Sequence, residues 1–220
     1  ARYSAAVEKP SYTYATGSSA VSLTVSFSLD MSTMPKSPFT DVVAGSWYFD
    51  AALYASSHNL MLGTSPTEFS PNITMTRGML VTVLYRMNGS PSVSGKTPFT
   101  DVRTDEWYSA AVLWAYQNGI VTGMSDTTFA PINNVTREQM ATILFRYTKT
   151  AAPDKAKASA DLSGFADAGS VNDWAVDAMR WAVGQKLIAG ITLEQSVYLQ
   201  PRGNATRAQA ATVLTRYYAQ

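Results

Sequence analysis

Thr136-Arg137-Glu138-Gln139-Met140-Ala141-Thr142-Ile143-Leu144-Phe145-Arg146-Tyr147 reads as the opening of a helix. Its apolar residues Met140, Ile143, Leu144 and Tyr147 fall at offsets of 3, 4 and 7, which line one helical face. The same pattern follows Thr76-Arg77, with Leu80, Val83, Leu84 and Met87, and Thr206-Arg207, with Ala210, Val213, Leu214 and Tyr217. A proline precedes each pair by the same interval: Pro71, Pro131, Pro201. Three copies of one helix make this a repeat protein. Threonine at an N-cap accepts a hydrogen bond from an N–H one turn on. Gln139 and Gln209 stand where they complete a capping box; Met79 cannot.

Working outward, each copy opens alike: Phe39-Thr40-Asp41-Val42, Phe99-Thr100-Asp101-Val102 and Phe165-Ala166-Asp167-Ala168. A polar residue and tryptophan follow: Ser46-Trp47, Glu106-Trp107, Asp173-Trp174. This spacing predicts an N-cap and the first turn of an earlier helix in each copy. In the second copy Asn118-Gly119 ends that helix as a left-handed cap would. A loop with Gly63, Gly123 or Gly190 comes next, then Phe69-Ser70-Pro71, Phe129-Ala130-Pro131 or Leu199-Gln200-Pro201. The first two copies keep a constant register of 60 residues. The third drifts to 67 at Trp174 and 70 at Pro201, so it carries one extra residue early and three in its second loop. Asn88 to Pro98 and Thr148 to Gly164 have the composition of exposed connectors.

These boundaries give repeats at 39–91, 98–150 and 164–220. The expected fold class is mainly α: three tandem helix-loop-helix repeats. A central core of three Thr-Arg helices and three grooves between lobes are expected, because one such unit buries too little to stand alone. Residues 1–38 lie outside the repeat. Val21, Leu23, Val25, Phe27 and Leu29 alternate with Ser and Thr, Tyr12 and Tyr14 alternate likewise, and Gly17-Ser18-Ser19 suits a turn. This N-terminal β segment reads as the remnant of a preceding domain, joined by a linker from Met31 to Pro38.

Composition narrows function. Hydrophobic residues make up 46% and the net charge is +1, so no basic field argues for nucleic acid. No apolar run is long enough for a membrane span. There is no cysteine, hence no thiolate chemistry or disulfide. The single histidine, His58, has Asn118 and Gln185 as counterparts, and each repeat shares only one acid. Glycoside hydrolysis needs two. No zinc spacing or phosphate loop is present, so neither an enzyme nor a cofactor is implied.

F-x-D-V, W-Y or W-A, G-I-V-x-G, F-x-P and T-R-x-x together resemble the surface-layer homology (SLH) motif, in its usual three copies over residues 39–220. The resemblance implies that the three repeats form a pseudo-threefold spindle, and that the chain is a non-catalytic module that anchors an exported or S-layer protein to the bacterial cell wall. It implies binding of secondary cell-wall polysaccharide, often through a pyruvylated amino sugar, with an upstream cargo domain and an extracellular, cell-surface location. Carried over by position, the carbohydrate-binding residues are Asp41, Trp47, Gly63 and Arg77; Asp101, Trp107, Gly123 and Arg137; and Asp167, Trp174, Gly190 and Arg207. Two departures stand out. The family's T-R-A-E has lost its final Glu in every copy, and its D-G before F-x-P stands as Pro66-Thr67 in copy one and Asp126-Thr127 in copy two, while copy three, with its longer loop, has lost the pattern. Direct peptidoglycan binding and a protein–protein assembly module of the envelope are the alternatives.

Chemistry gives each residue type two readings. Arginine at a helix start sits against the positive end of the dipole, so something negative is expected nearby. A ligand carboxylate would meet free helix N–H groups and a guanidinium fork; the internal rival is Asp41, Asp101 or Asp167. Arg86, Arg146 and Arg216 read as cations at a helix C-terminus. The tryptophans would stack on sugar C–H faces or wedge between helices. The aspartates would accept sugar hydroxyls or cap a turn, and the glycines serve a left-handed turn.

Overall fold

The computed structural model describes residues 12–16, 19–23, 36–157 and 159–219. The Thr-Arg helices form as the periodicity predicts: α2 spans Arg77–Met87, α4 Arg137–Ala151 and α6 Arg207–Tyr218. Thr76, Thr136 and Thr206 hold extended N-cap backbone, and each hydroxyl accepts from the N–H three residues on. Gln139 and Gln209 close capping boxes. The earlier helices are α1 (Phe49–Ser57), α3 (Ser109–Gln117) and α5 (Val176–Gly184). Each ends in a left-handed residue, Asn59, Gly119 or Lys186.

The earlier helices start later than predicted. Their N-cap positions are Tyr48, Tyr108 and Ala175, with no side-chain cap. Ser46 and Glu106 instead lend their carbonyls to the N–H groups of Phe49 and Ser109. Trp47 and Trp107 therefore lie in the turn before the helix, and Trp174 in a 3-10 turn, Asp173–Ala175. A second correction concerns the connector after copy two. Helix α4 runs on to Ala151, so Thr148 is fully buried, its hydroxyl bonded to the Leu144 carbonyl.

Repeats exchange partners rather than folding on themselves. The most extensive helix packing joins α2 to α3, α4 to α5 and α6 to α1, so each Thr-Arg helix covers the first helix of the next copy. The last pair closes a ring, and Thr215 Oγ1 donates to the Ala51 carbonyl across it. At one end of the ring the backbone bonds cyclically: Met75 N–H to Ala205, Ala205 N–H to Val135, Val135 N–H to Met75, all at 2.8–2.9 Å. These donors and acceptors are buried, so each bond also prevents the cost of an unpaired amide. Leu80, Leu84, Met140, Leu144, Ala210 and Leu214 fill the interior.

In the N-terminal segment β1 (Tyr12–Thr16) pairs antiparallel with β2 (Ser19–Leu23), Tyr12 opposite Leu23 and Thr16 opposite Ser19. Ser19 thus belongs to the strand. Gly17, Ser18, Val25, Phe27 and Leu29 lie outside the described residues. The three extra residues of copy three fall in a hairpin, β3 (Ile191–Leu193) with β4 (Ser196–Tyr198).

Candidate functional site

Arg77, Arg137 and Arg207 are only 5–6% exposed. Each donates from Nε to a carbonyl of the next copy around the ring: Arg77 to Phe129 at 2.9 Å, Arg137 to Leu199 at 2.7 Å, Arg207 to Phe69 at 2.9 Å. Arg77 and Arg207 also lie over the rings of Phe129 and Phe69, at 4.7 and 4.8 Å. Burial lowers each guanidinium pKa; the neighbouring Asp101, Asp167 and Asp41 respectively oppose that shift. None of these arginines comes within 4 Å of a carboxylate oxygen among the described residues; the ion pairs there are Arg103–Asp105 and Lys157–Asp154.

The aspartates are committed to backbone. Asp41 takes the N–H groups of Phe69 and Ser70 on separate oxygens at 2.8 and 2.7 Å. Asp101 does the same for Phe129 and Ala130, and Asp167 for Leu199 and Gln200. In each case the second N–H belongs to a non-glycine residue in the left-handed region, with φ of 49–58°. The carboxylate holds that turn, and the turn presents the carbonyl that arginine needs.

The helix N–H groups are also taken. Arg77 and Gly78 donate to Asn133 and Pro131; Arg137 and Glu138 to Gly203 and Pro201; Arg207 and Ala208 to Ile73 and Pro71. With the third N–H on the threonine hydroxyl, a ligand carboxylate finds no free amide there. The helix-terminus part of the expected anion site is therefore corrected: its N–H groups are all committed within the fold.

A cavity of about 350 Å³ lies where the copies meet. Arg77 of the first copy, Gly123 of the second and Trp174 of the third all line it. Three of the expected residues thus come together, one from each copy, in a space between the repeats. Gln139, Thr142, Ile143 and Arg146 form a wall from one face of α4, and Thr122 and Met124 flank the glycine. The expectation that Arg146 is a helix C-terminal cation needs correction. Because α4 continues to Ala151, Arg146 stands inside the helix, with Nη1 3.4 Å from Thr122 Oγ1. Its i, i+3, i+4, i+7 spacing with Gln139, Thr142 and Ile143 is the signal that places it. The charge of Arg146 also helps to lower the Arg77 pKa, so two like charges share one space.

Trp174 is 54% exposed, and Trp47 and Trp107 are 66% and 59%. All three indoles are largely exposed, as stacking on a ligand requires. Arg207 Nη2 donates to the Leu62 carbonyl at 2.7 Å, which sets the third arginine beside Gly63 of the first copy. Gly123 has φ +80°, and a Cβ there would stand 2.5 Å from the Ser125 carbonyl and 2.6 Å from Phe99 Cε1. The glycine thus fits both a left-handed turn and the close packing of Phe99. His58 stacks on Tyr54 at 3.9 Å, with Nδ1 on the Tyr54 carbonyl. Among the described residues no cluster of three or more His, Cys, Asp or Glu is placed to hold a metal.

Sequence comparison matches three stretches, residues 38–78, 98–141 and 164–211, to the S-layer homology domain. An endoglucanase of Bacillus sp. (strain KSM-635) is 34% identical over 178 residues, 81% of this chain but 18% of that protein. The surface-layer 125 kDa protein of Lysinibacillus sphaericus is 32% identical, over 70% of this chain and 12% of its own length. The exoglucanase XynX of Acetivibrio thermocellus is 27% identical, over 82% and 16%. This chain therefore spans less than a fifth of the curated relatives it matches. The match to enzymes and to a surface-layer protein alike falls on this chain's repeats, and among the described residues no helix is long and apolar enough to cross a membrane. With three tandem copies in register, the chain belongs to the S-layer homology domain family, a non-catalytic cell-wall anchoring module associated with the cell surface.

Proposed function

We propose that the chain holds an acidic cell-wall polysaccharide in the groove lined by Arg77, Gly123, Arg146 and Trp174, and so tethers an exported protein to the bacterial wall. One observation carries this reading. Arg77 and Arg146 share a cavity of about 350 Å³, and neither has a carboxylate oxygen within 4 Å among the described residues. Two guanidinium groups facing one groove are stabilised by an anion from outside the protein. Trp174 beside them offers an apolar face for a sugar ring, and Thr122 and Gln139 offer polar groups. A carboxylate-bearing amino sugar, such as the pyruvylated residue implied by the family resemblance, fits that chemistry. The names of the relatives, glycan-degrading enzymes and surface-layer proteins, suit a module that carries varied cargo.

The experiment is co-sedimentation with wall sacculi, intact and stripped of attached polysaccharide, using the unaltered chain, Arg146→Ala and Trp174→Ala. Binding lost on stripping and weakened in both variants supports the reading. Binding that survives stripping points to peptidoglycan itself. No binding to either preparation would favour the envelope-assembly alternative.

A further inference from the structure

The three exposed tryptophans are not held alike. Trp47 and Trp107 are each followed by a tyrosine whose ring stands edge-on to the indole, at 5.3 Å and 90° and at 5.1 Å and 81°. Trp174 is followed by Ala175, so that brace is missing. The residue after the helix-start arginine varies in step. In the first copy it is Gly78, and a Cβ there would meet the Tyr108 ring at 3.4 Å. In the second it is Glu138, on the helix that packs against the turn holding Trp174 and Ala175.

Glu138 is 2% exposed, the only buried acid among the described residues. One of its oxygens accepts the Asn172 backbone N–H at 3.0 Å, and the other accepts the Asn172 side-chain amide. Asn172 is the N-cap of the Asp173–Ala175 turn, and its Oδ1 accepts from Arg202 Nη2 at 3.2 Å. A buried carboxylate left without these donors would be costly, so the clamp is strongly favoured once the turn is in place. We infer that Glu138 is the positioning residue of this groove: by gripping Asn172 it fixes the turn that carries Trp174, taking the part that tyrosine plays in the other two copies. Its importance for binding rests on the groove reading above; its grip on Trp174 does not.

The test follows the tryptophan indole N–H signals by nitrogen-15 NMR, with Trp174 assigned through Trp174→Phe. In Glu138→Ala the Trp174 signal is expected to shift and broaden while those of Trp47 and Trp107 stay in place. Sacculus binding is expected to fall several-fold. Adding Ala175→Tyr to Glu138→Ala rebuilds the small-residue and tyrosine arrangement of the first two copies, and should restore both the signal and the binding. An unmoved Trp174 signal, or equal movement of all indole signals, overturns the inference. If Glu138→Ala does not fold, Asn172→Ala serves: it keeps the backbone N–H contact and should move Trp174 alone, and no movement again overturns the inference. A moved Trp174 with undiminished wall binding supports the positioning role and overturns the groove reading.

Discussion

Arg207, the first residue of the last helix, donates from Nε to the carbonyl of Phe69, 138 residues earlier in the chain. Its Nη2 reaches Leu62 of the same copy. The two bonds close a ring of repeats with a charged, nearly buried side chain. Arg207→Lys keeps the charge and loses the planar fork. It should lower unfolding stability by about 2–3 kcal/mol, since buried carbonyls lose charge-assisted donors. Denaturant titration of the variant measures this.

Asp101 accepts two backbone N–H groups, one per oxygen, and so holds Ala130 in a left-handed conformation. Asp101→Asn leaves one oxygen and turns an NH2 group against the second N–H. A loss of about 1–3 kcal/mol is expected. The thermal midpoint of Asp101→Asn reads it, with Asp105→Asn, an exposed carboxylate, as a control that changes little.

Gly123→Ala places a Cβ within 2.6 Å of both Ser125 and Phe99, at a φ that L residues avoid. Destabilisation of about 2 kcal/mol or more is expected. Gly119→Ala is the comparison: its φ is also positive, but no atom lies within 4 Å of the added methyl, so only the backbone cost remains.

Alkaline pH should unfold the ring through its tyrosines. Burial pushes the Tyr147 phenol up to about 12, and Tyr217, 6.0 Å away, is raised in the same way. The folded chain therefore keeps a proton that the unfolded chain releases near pH 10. This contribution is complete below about pH 10 and is lost as pH rises toward about 12. Tyr147→Phe should flatten the fall in stability across that window, measured by urea unfolding at successive pH values.

The helix starts were legible because capping chemistry is local. A threonine, an arginine and a glutamine in fixed order carry their own partners, and Thr136 and Thr206 behave accordingly. The exchange of helix partners was not legible. An apolar face reads the same whether it covers its own copy or the next, so periodicity gives the unit and not its neighbour. Grooves between repeats are expected from the sequence, but which arginine, glycine and tryptophan share one, as Arg77, Gly123 and Trp174 do, is not. The polar residues before each tryptophan misled for a related reason: Ser46 and Glu106 do help start a helix, but with backbone carbonyls, which every residue type possesses. Arg146 was missed because the end of α4 was placed too early, and a cation inside a helix needs a different explanation from one at its end.

The ring also bears on how such a module is inherited. A groove that takes its arginine, glycine and tryptophan from three different copies cannot be completed by one or two copies within a single chain. Loss of one motif by recombination would open two of the three seams at once and leave a single pair of copies. A gene with fewer motifs regains the arrangement only if separate chains contribute the missing copies, so the smallest selectable unit is the triplet. Within it, pairs such as Glu138 with Asn172 fix the order in which the copies must follow one another.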